Sequence, residues 1–407
     1  MVKVMKKVLF ISHGIPPHSY GGVEVYTNNI YQEFKKSKGY HPLVLSRTEN
    51  NPYWEGLIYA DKVDPSLFYI HTCTSDLFHL VQHGLDDCFR DFILNIKPDV
   101  IHFQHYLHLS LSWFKIAKEL LPNSKVLLTL HEYIGLCPNS GLMIKTPSQK
   151  NKLCYKSGSK PCSDCFPHLP LTVITDRISS VKRYFSYIDT FISPSEFLRN
   201  RYLDSGLVSQ PIIVSENGLA LSVPVTNANT NNDENLRLLF LGQINTLKGL
   251  HVLLDAIARL NSNKVSLSIY GKMQDNHKYN YEILRKVNIL PNVTFMGSYS
   301  QEELPQILNS HHILVVPSVW WENSPLVIQE AFAANLPIIC SNIGGMAEKV
   351  VNNVNGLHFK INDSKSLADV INKCLLNPHL LIKLKKGINV PKSIEQNRLE
   401  LENIYSK

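Results

Sequence analysis

Short apolar runs alternating with helical patterns constrain this chain more than anything else in it, because strands joined by crossover helices pack as a parallel sheet between helical layers. In the first half the candidate strands are Val8–Ser12, Pro42–Ser46, Phe68–Cys73, Val100–Gln104, Val126–Leu130, Thr190–Ile192 and Ile212–Ser215. The second half repeats the pattern. RLLFLGQINTLKGLHVLLDAIARL reads as strand, loop and helix, with Leu250, Leu253, Leu254, Ile257 and Leu260 on one helical face. Strands at Val265–Tyr270 and Val293–Met296 end at Gly271 and Gly297. The polar NANTNNDEN between the halves has linker composition. The expected fold is α/β, with two doubly wound Rossmann-like domains. Residues 1–218 form the first, with a cysteine-containing insertion at 134–170. A linker at 219–235 leads to the second, residues 236–390, and a helical tail at 391–407.

With 407 residues, 44% hydrophobic and 18% charged, the chain can bury two cores. The apolar run after MVKVMKK is too short for a signal sequence and reads as the first buried strand. No run is long enough to span a bilayer. Eight cysteines without such a leader point to a reducing compartment, hence a cytoplasmic protein. The charge of +7 suits an anionic small-molecule ligand or a membrane surface. No arginine-rich run or aromatic-basic motif points to nucleic acid.

The chemistry concentrates in VWWENSPLVIQEAFAANLPIICSNIGGMAE, residues 319–348. Ser324 before Pro325 predicts a helix over Pro325–Ala334, capped by the serine and closed by Asn335. The first amides of that helix, those of Leu326, Val327 and Ile328, form an anion site. Glu322 and Glu330 frame it. Carboxylates do not bind phosphate, but each can accept two hydroxyl donors, as a sugar or ribose diol offers. The ordinary alternative is a pair of solvated charges around a core helix. Gly344 and Gly345 would let backbone approach the same ligand. Lys248, beside Gly249 near a helix start, could neutralise a diphosphate. In the first half, Gly21 and Gly22 stand between the first strand and its helix, and His131 and Glu132 follow the strand VLLTL. Both sit where a doubly wound sheet meets its ligand.

Taken with its flanks and with Gly-Gly-Met-Ala-Glu, the Glu322-x7-Glu330 pattern resembles the signature of retaining glycosyltransferases of family 4 (the bacterial group 1 type), over nearly the whole chain. The resemblance implies the GT-B arrangement, two such domains facing a cleft that closes around a nucleotide-diphosphate sugar. Glu330 would then hold the ribose, and Lys248 and the amides of Leu326 and Val327 the diphosphate. Glu322, Asn323 and Ser324 would hold the sugar, with Gly271 near the base. Gly21 and Gly22 would close from the first domain, His131 would reach the sugar or diphosphate, and the tail helix would cross back to that domain. Where such enzymes carry a basic residue after the first loop glycine, this chain has Gln243, which leaves Lys248 as the main charge on the leaving group. The catalytic set is therefore Lys248, Glu322 and His131. No Asp-x-Asp clamp stands in a suitable loop, so no cofactor is expected for catalysis.

The implied reaction moves a sugar, with retention, to a glycan or lipid-linked acceptor in cell-surface polysaccharide synthesis. Alternatives are a nucleotide-sugar epimerase or hydrolase on the same fold, and a non-catalytic assembly subunit. Two features stand outside this scheme. Cys137, Cys154, Cys162 and Cys165 fall in one short segment, which suits a structural zinc, with reduced thiols or a redox pair as the alternative. The segment LTVITDRISSVKRYFSYIDTF mixes basic and aromatic residues. It either packs on the sheet or makes a peripheral contact at the inner face of the cell membrane.

Overall fold

A computed structural model describes residues 5–49, 54–73, 78–146, 152–220, 235–260, 262–274 and 276–407. The chain divides into two compact units. The first comprises Met1–Ala220 with Lys392–Lys407, and the second Leu221–Pro391. The polar stretch NANTNNDEN lies outside the described residues except for its last, Asn235.

The first unit holds strands β1 (Lys6–Ser12), β2 (Tyr40–Thr48), β3 (Ile58–Ala60), β4 (Leu67–His71), β5 (Val100–Phe103), β6 (Lys125–Thr129), β7 (Ile144–Lys145), β8 (Lys152–Leu153), β9 (Thr190–Ser193) and β10 (Ile212–Val214). Eight of them form one sheet in the order β10-β9-β6-β5-β1-β2-β4-β3. All its pairings are parallel except β3 with β4. Each of the seven expected strands is present. The antiparallel edge strand β3 and the β7–β8 hairpin were not read from sequence, because runs of two or three residues carry no period. From β1 the chain builds β2 and β4 on one side, then returns to place β5 and β6 on the other. The carboxyl ends of β1 and β5 therefore bound a topological switch point, the usual ligand crevice of an open parallel sheet.

The tail helix Ile394–Ser406 belongs to this unit. A capping box between Ser393 and Gln396 starts it. Leu401, Ile404 and Tyr405 join the core of Phe10, Ile30 and Phe34. Buried hydrogen bonds pin it there: Tyr26 donates to Asn397 Oδ1 at 2.7 Å, and the Tyr405 hydroxyl meets His102 Nδ1 at 2.6 Å. The basic, aromatic helix Leu171–Phe185 buries Ile174, Arg177, Val181, Tyr184 and Phe185 and so packs against the unit along that face. Among the described residues no helix is long and apolar enough to cross a membrane.

The second unit is a parallel sheet in the order β13-β12-β11-β14-β15-β16, formed by β11 (Leu236–Leu241), β12 (Val265–Tyr270), β13 (Val293–Gly297), β14 (Ile313–Val316), β15 (Ile338–Ser341) and β16 (Gly356–Phe359). The predicted face of the helix Leu250–Leu260 packs into its core, with Leu250, Leu253, Leu254 and Ile257 buried. Here the switch point lies between β11 and β14.

Candidate active site

At the β11–β14 switch point the loop after β11 turns through a short 3-10 helix, Thr246–Lys248. Asn245 caps it by accepting from the amides of Leu247 and Lys248. Gly249 follows with φ +69°, and a Cβ there would stand 2.0 Å from the Pro317 carbonyl oxygen. Only glycine lets the two loops touch, and Val319 N–H completes the join to Leu247 O at 2.8 Å. This clamp carries Lys248 to the residues after β14. Its ammonium lies 2.6 Å from Glu322 Oε1, and the same oxygen accepts from Ser318 Oγ at 2.8 Å and Trp320 Nε1 at 3.1 Å. Three donors on one oxygen hold an ionised carboxylate that is only 6% exposed.

Past Glu322 the helix begins one residue later than expected, at Leu326, with Pro325 in the cap position and no side-chain cap. Pro325 has ψ 122°, so the extended backbone persists through the proline and Ser324 stands too far back to cap. Its hydroxyl is instead buried without a partner among the described residues. The Ile328 amide donates to Pro325 O, so the amides of Leu326 and Val327, not all three, remain to face a ligand. The glycine pair also differs from expectation. Gly344 and Gly345 open a short helix, and a Cβ on Gly345 would stand 1.5 Å from Asn323 O. Its amide donates to Glu322 O at 2.9 Å. Gly345 therefore braces the Glu322–Asn323 backbone.

Glu330, within the helix, is 8% exposed, and no ion pair or hydrogen bond holds its carboxyl among the described residues. Burial pushes its pKa up to about 7. The phenol of Tyr299, whose own pKa is raised by burial and then by Glu330, lies close to it. A lone buried carboxyl is costly, and two hydroxyls from a diol would satisfy it. On the other side of β11, Gly271 has φ +155°, and a Cβ would fall 1.8 Å from Gly242 O, so the β12 turn presses on the β11 loop. Gln243 is exposed and accepts from Gln274 Nε2 at 2.7 Å.

In the first unit, residues from three strand ends gather at the β1–β5 switch point. Backbone bonds from Gln104 and His105 to Ile11 O align the ends. The imidazoles of His13 and His105 then lie 4.1 Å apart. Each has its own carboxylate: His13 Nε2 is 3.3 Å from Glu24, and His105 Nε2 is 3.0 Å from Glu132. Burial works against the charge on Glu24, but hydrogen bonds from His13 and Ser19 outweigh it and hold the pKa at about 2. His13 is lowered by burial and by His105, so it is a neutral ring beside an anion. Gly21 caps the helix Gly22–Phe34, and a side chain there would strike Glu24 Oε2, whereas Gly22 has open space.

His131 stands beside this group, with its ring 5.5 Å from Tyr26. Its Nε2 donates to Gln104 Oε1 at 2.9 Å, since an amide oxygen can only accept. Burial, then the neighbouring histidines, hold its pKa well below the usual value. With Nε2 as the donor of a neutral ring, Nδ1 has acceptor character. His102 is different: buried between Tyr405 and Thr129, it ties the tail helix to the sheet. His13, Glu24 and His105 were not singled out from sequence. The available signal was a polar residue directly after each of two strands that prove to be neighbours.

Cys137, Cys154, Cys162 and Cys165 are not joined in disulfides and line one small cavity with Met143, Ile144 and Phe166. Burial pushes Cys137 up to about 11 and also raises Cys162. Among the described residues no group of three or more His, Cys, Asp or Glu side chains could hold a metal ion, so the expected four-cysteine zinc site is not formed there.

The sequence matches Glycosyltransferase Family 4 over residues 20–223, half of the chain, and Glycosyl transferases group 1 over residues 225–389. An uncharacterized glycosyltransferase of Methanocaldococcus jannaschii is 25% identical over 180 residues, 42% of this chain and 45% of that protein. An uncharacterized 41.2 kDa protein in the cps region of Klebsiella pneumoniae is 24% identical over 236 residues, 54% of this chain and 62% of that protein. The chain thus spans about half to three fifths of the length of these curated relatives. In fold it is similar to Anabaena HepE, solved with UDP and glucose, with a TM-score of 0.68 at 16% identity over 98% of this chain and 99% of that one. With two Rossmann-like units in the GT-B fold class and both family matches in register with them, the chain belongs to glycosyltransferase family 4.

Proposed function

We propose that this protein transfers a sugar from a nucleotide-diphosphate sugar to a hydroxyl of a glycan or lipid-linked acceptor, with retention and without a catalytic metal, in cell-surface polysaccharide synthesis. One observation carries the reading: a bound ion pair and a lone buried carboxyl, Lys248–Glu322 and Glu330, flank the open amides of a single helix start. Glu330 accepts the ribose diol, and the Leu326 and Val327 amides take the diphosphate. Lys248 turns from Glu322 toward the charge that gathers on the leaving group, and stabilising that charge contributes most to the rate of such a reaction. Glu322, released from the ammonium but still held by Ser318 and Trp320, accepts sugar hydroxyls with Asn323 and Ser324. Gln243 and Gly271 border the base. In the first unit Gly21 and Gly22 supply backbone, and His131 accepts a hydroxyl of the transferred sugar. Binding of UDP and glucose by HepE and the cps setting of the Klebsiella relative agree with this.

The test is calorimetry with UDP-, GDP-, ADP- and TDP-sugars on the wild type and on Glu330→Ala. One selective donor, bound more weakly by the variant, is expected. Binding to none by the folded protein would favour a non-catalytic assembly subunit. Release of free sugar or an epimer in the absence of acceptor would favour a hydrolase or epimerase.

A further inference from the structure

On the transferase reading above, we propose that Glu132 binds the acceptor, taking hydroxyls of a sugar on its carboxylate, and that Gly141 is the residue that positions it. Two helices fix the backbone around Glu132. From the helix Glu196–Ser205 the Tyr202 hydroxyl donates to Glu132 O at 3.0 Å. From the helix Leu171–Phe185 the buried Arg177 guanidinium donates to Ile134 O at 2.5 Å and to Gly135 O at 3.4 Å. A Cβ on Gly135 would come within 3.2 Å of the Tyr106 and Tyr202 hydroxyls, so the chain already lies as close to them as it can.

The side chain is placed as closely as the backbone. Glu132 Oε1 lies 3.0 Å from His105 Nε2, and the Leu107 amide, donating to His105 Nδ1 at 2.9 Å, holds that imidazole in place. Oε2 fills the space that the missing side chain of Gly141 leaves: a Cβ there would stand 2.5 Å from it and 3.0 Å from Ile134 N. The turn that carries Gly141 is strained. Gly141 has φ +72°, and Ser140 at +48° and Met143 at +50° share the left-handed region that side chains disfavour. Such residues persist only where their surroundings over-determine them, and they cluster at functional sites. Here Gly141 N–H donates to Cys137 O at 3.1 Å, Leu142 N–H to Asn139 O at 2.9 Å, and Cys154 N–H, just after β8, to Met143 O at 2.7 Å. The turn 137–143, which opens the cysteine segment, thus delivers one glycine to one carboxylate.

The carboxylate so placed has acceptor capacity to spare. Despite the nearness of His105, Glu132 Oε1 is buried and makes no hydrogen bond among the described residues, a costly state for a polar atom. The side chain as a whole is 25% exposed, so a ligand can reach it. Next to it stands the second pair, His13 with Glu24, the two imidazoles 4.1 Å apart. Two acceptor groups this close suit neighbouring hydroxyls of one pyranose ring. A phosphate oxygen, itself an acceptor, would meet two carboxylates there. The acceptor is therefore recognised in this unit as a sugar, through its hydroxyls.

The test titrates the whole chain with the methyl pyranosides of glucose, galactose, mannose and N-acetylglucosamine, binding being read by saturation-transfer NMR. The wild type is expected to bind at least one of them. Glu132→Gln should bind it about tenfold more weakly, while donor affinity, read by calorimetry, stays within about twofold. Gly141→Ala should weaken the same probe about as much, and the double variant should bind no more weakly than Glu132→Gln, because both changes act at one carboxylate. Losses that multiply would show that Gly141 acts elsewhere and would end its positioning role. Should Gly141→Ala fail to fold, adding Glu132→Asp, which withdraws the carboxylate by one methylene, is expected to restore the fold; no restoration would equally dismiss the contact. Wild type that binds none of the pyranosides, or Glu132→Gln that binds them as the wild type does, would overturn the assignment of Glu132. Pyranoside binding that depends on Glu132 in a protein that binds no nucleotide-sugar would sink the transferase reading and leave the sugar site standing.

Discussion

The two sheets place their ligand edges alike and furnish them differently. At the β11–β14 switch point the chemistry comes from one short stretch and one lysine: Glu322, the helix start and Glu330 are contiguous, and Lys248 reaches them through a glycine contact. At the β1–β5 switch point it comes from three strand ends and a helix start, with His13, Glu24, His105, Glu132 and His131 brought together only by strand order. The second unit offers a fixed cation and open amides, a surface for an anion. The first offers imidazoles paired with carboxylates, a surface for hydroxyls. On this reading the division of labour between donor and acceptor follows from charge.

The sharpest way to break that comparison is Lys248→Ala. It removes the cation from the proposed leaving-group site and leaves Glu322 buried with only neutral donors. Transfer should fall about 10²–10³-fold in kcat, with the acceptor KM little changed. A loss confined to the acceptor KM would reverse the assignment of the two units.

Glu330→Gln comes next, and its effect has a sign in pH. The folded pKa, about 7, lies above the ordinary 4.5 because burial penalises the charge. The ligand-free protein therefore has this group's full stability below about pH 4.5, loses it as pH rises toward 7, and lacks about 3 kcal/mol above that. Glutamine does not ionise, so the variant should be the more stable protein at pH 8 and should gain nothing at pH 4. Wild-type donor affinity should rise about tenfold per pH unit up to 7 and then level off, while the variant binds weakly and without that slope. Equal pH slopes in the two proteins would remove Glu330 from the ribose site.

His105→Ala sharpens the other half. It strips Glu132 of its imidazole and should raise the acceptor KM about tenfold while donor affinity, read by calorimetry, stays within about twofold. A fall in donor affinity instead would place the histidine group with His131 on the sugar.

What could be read from the sequence follows the same division. Seven of the eight strands of the first sheet were legible because burial on both faces writes apolar runs. Glu322, Glu330 and Lys248 were legible because their site is nearly local in sequence. The pairing of Lys248 with Glu322 was not, since it depends on the contact of Gly249 with Pro317 across 68 positions of chain. Nor was the bracing role of Gly345, which rests on its contact with the Asn323 carbonyl. His13 and His105 were invisible for a stronger reason. Nothing in either loop says that β1 and β5 are neighbours, and the crossover that makes them so is a property of the whole sheet.

The smallest expected effect is the most discriminating for the first unit. Tyr26 has two faces there: its ring lies beside His131, and its hydroxyl donates to Asn397 of the tail helix. Tyr26→Phe keeps the ring and deletes the bond, leaving Asn397 Oδ1 with the Gly218 amide alone at 3.2 Å. Stability should fall by about 1–2 kcal/mol, measured by denaturant unfolding. Kinetic constants for donor and acceptor should stay within about twofold, because the ring still walls His131. If the acceptor KM rises as far as in His105→Ala, then the phenol belongs to the hydroxyl-binding surface, and the tail helix, through Asn397, becomes one of the elements that position it.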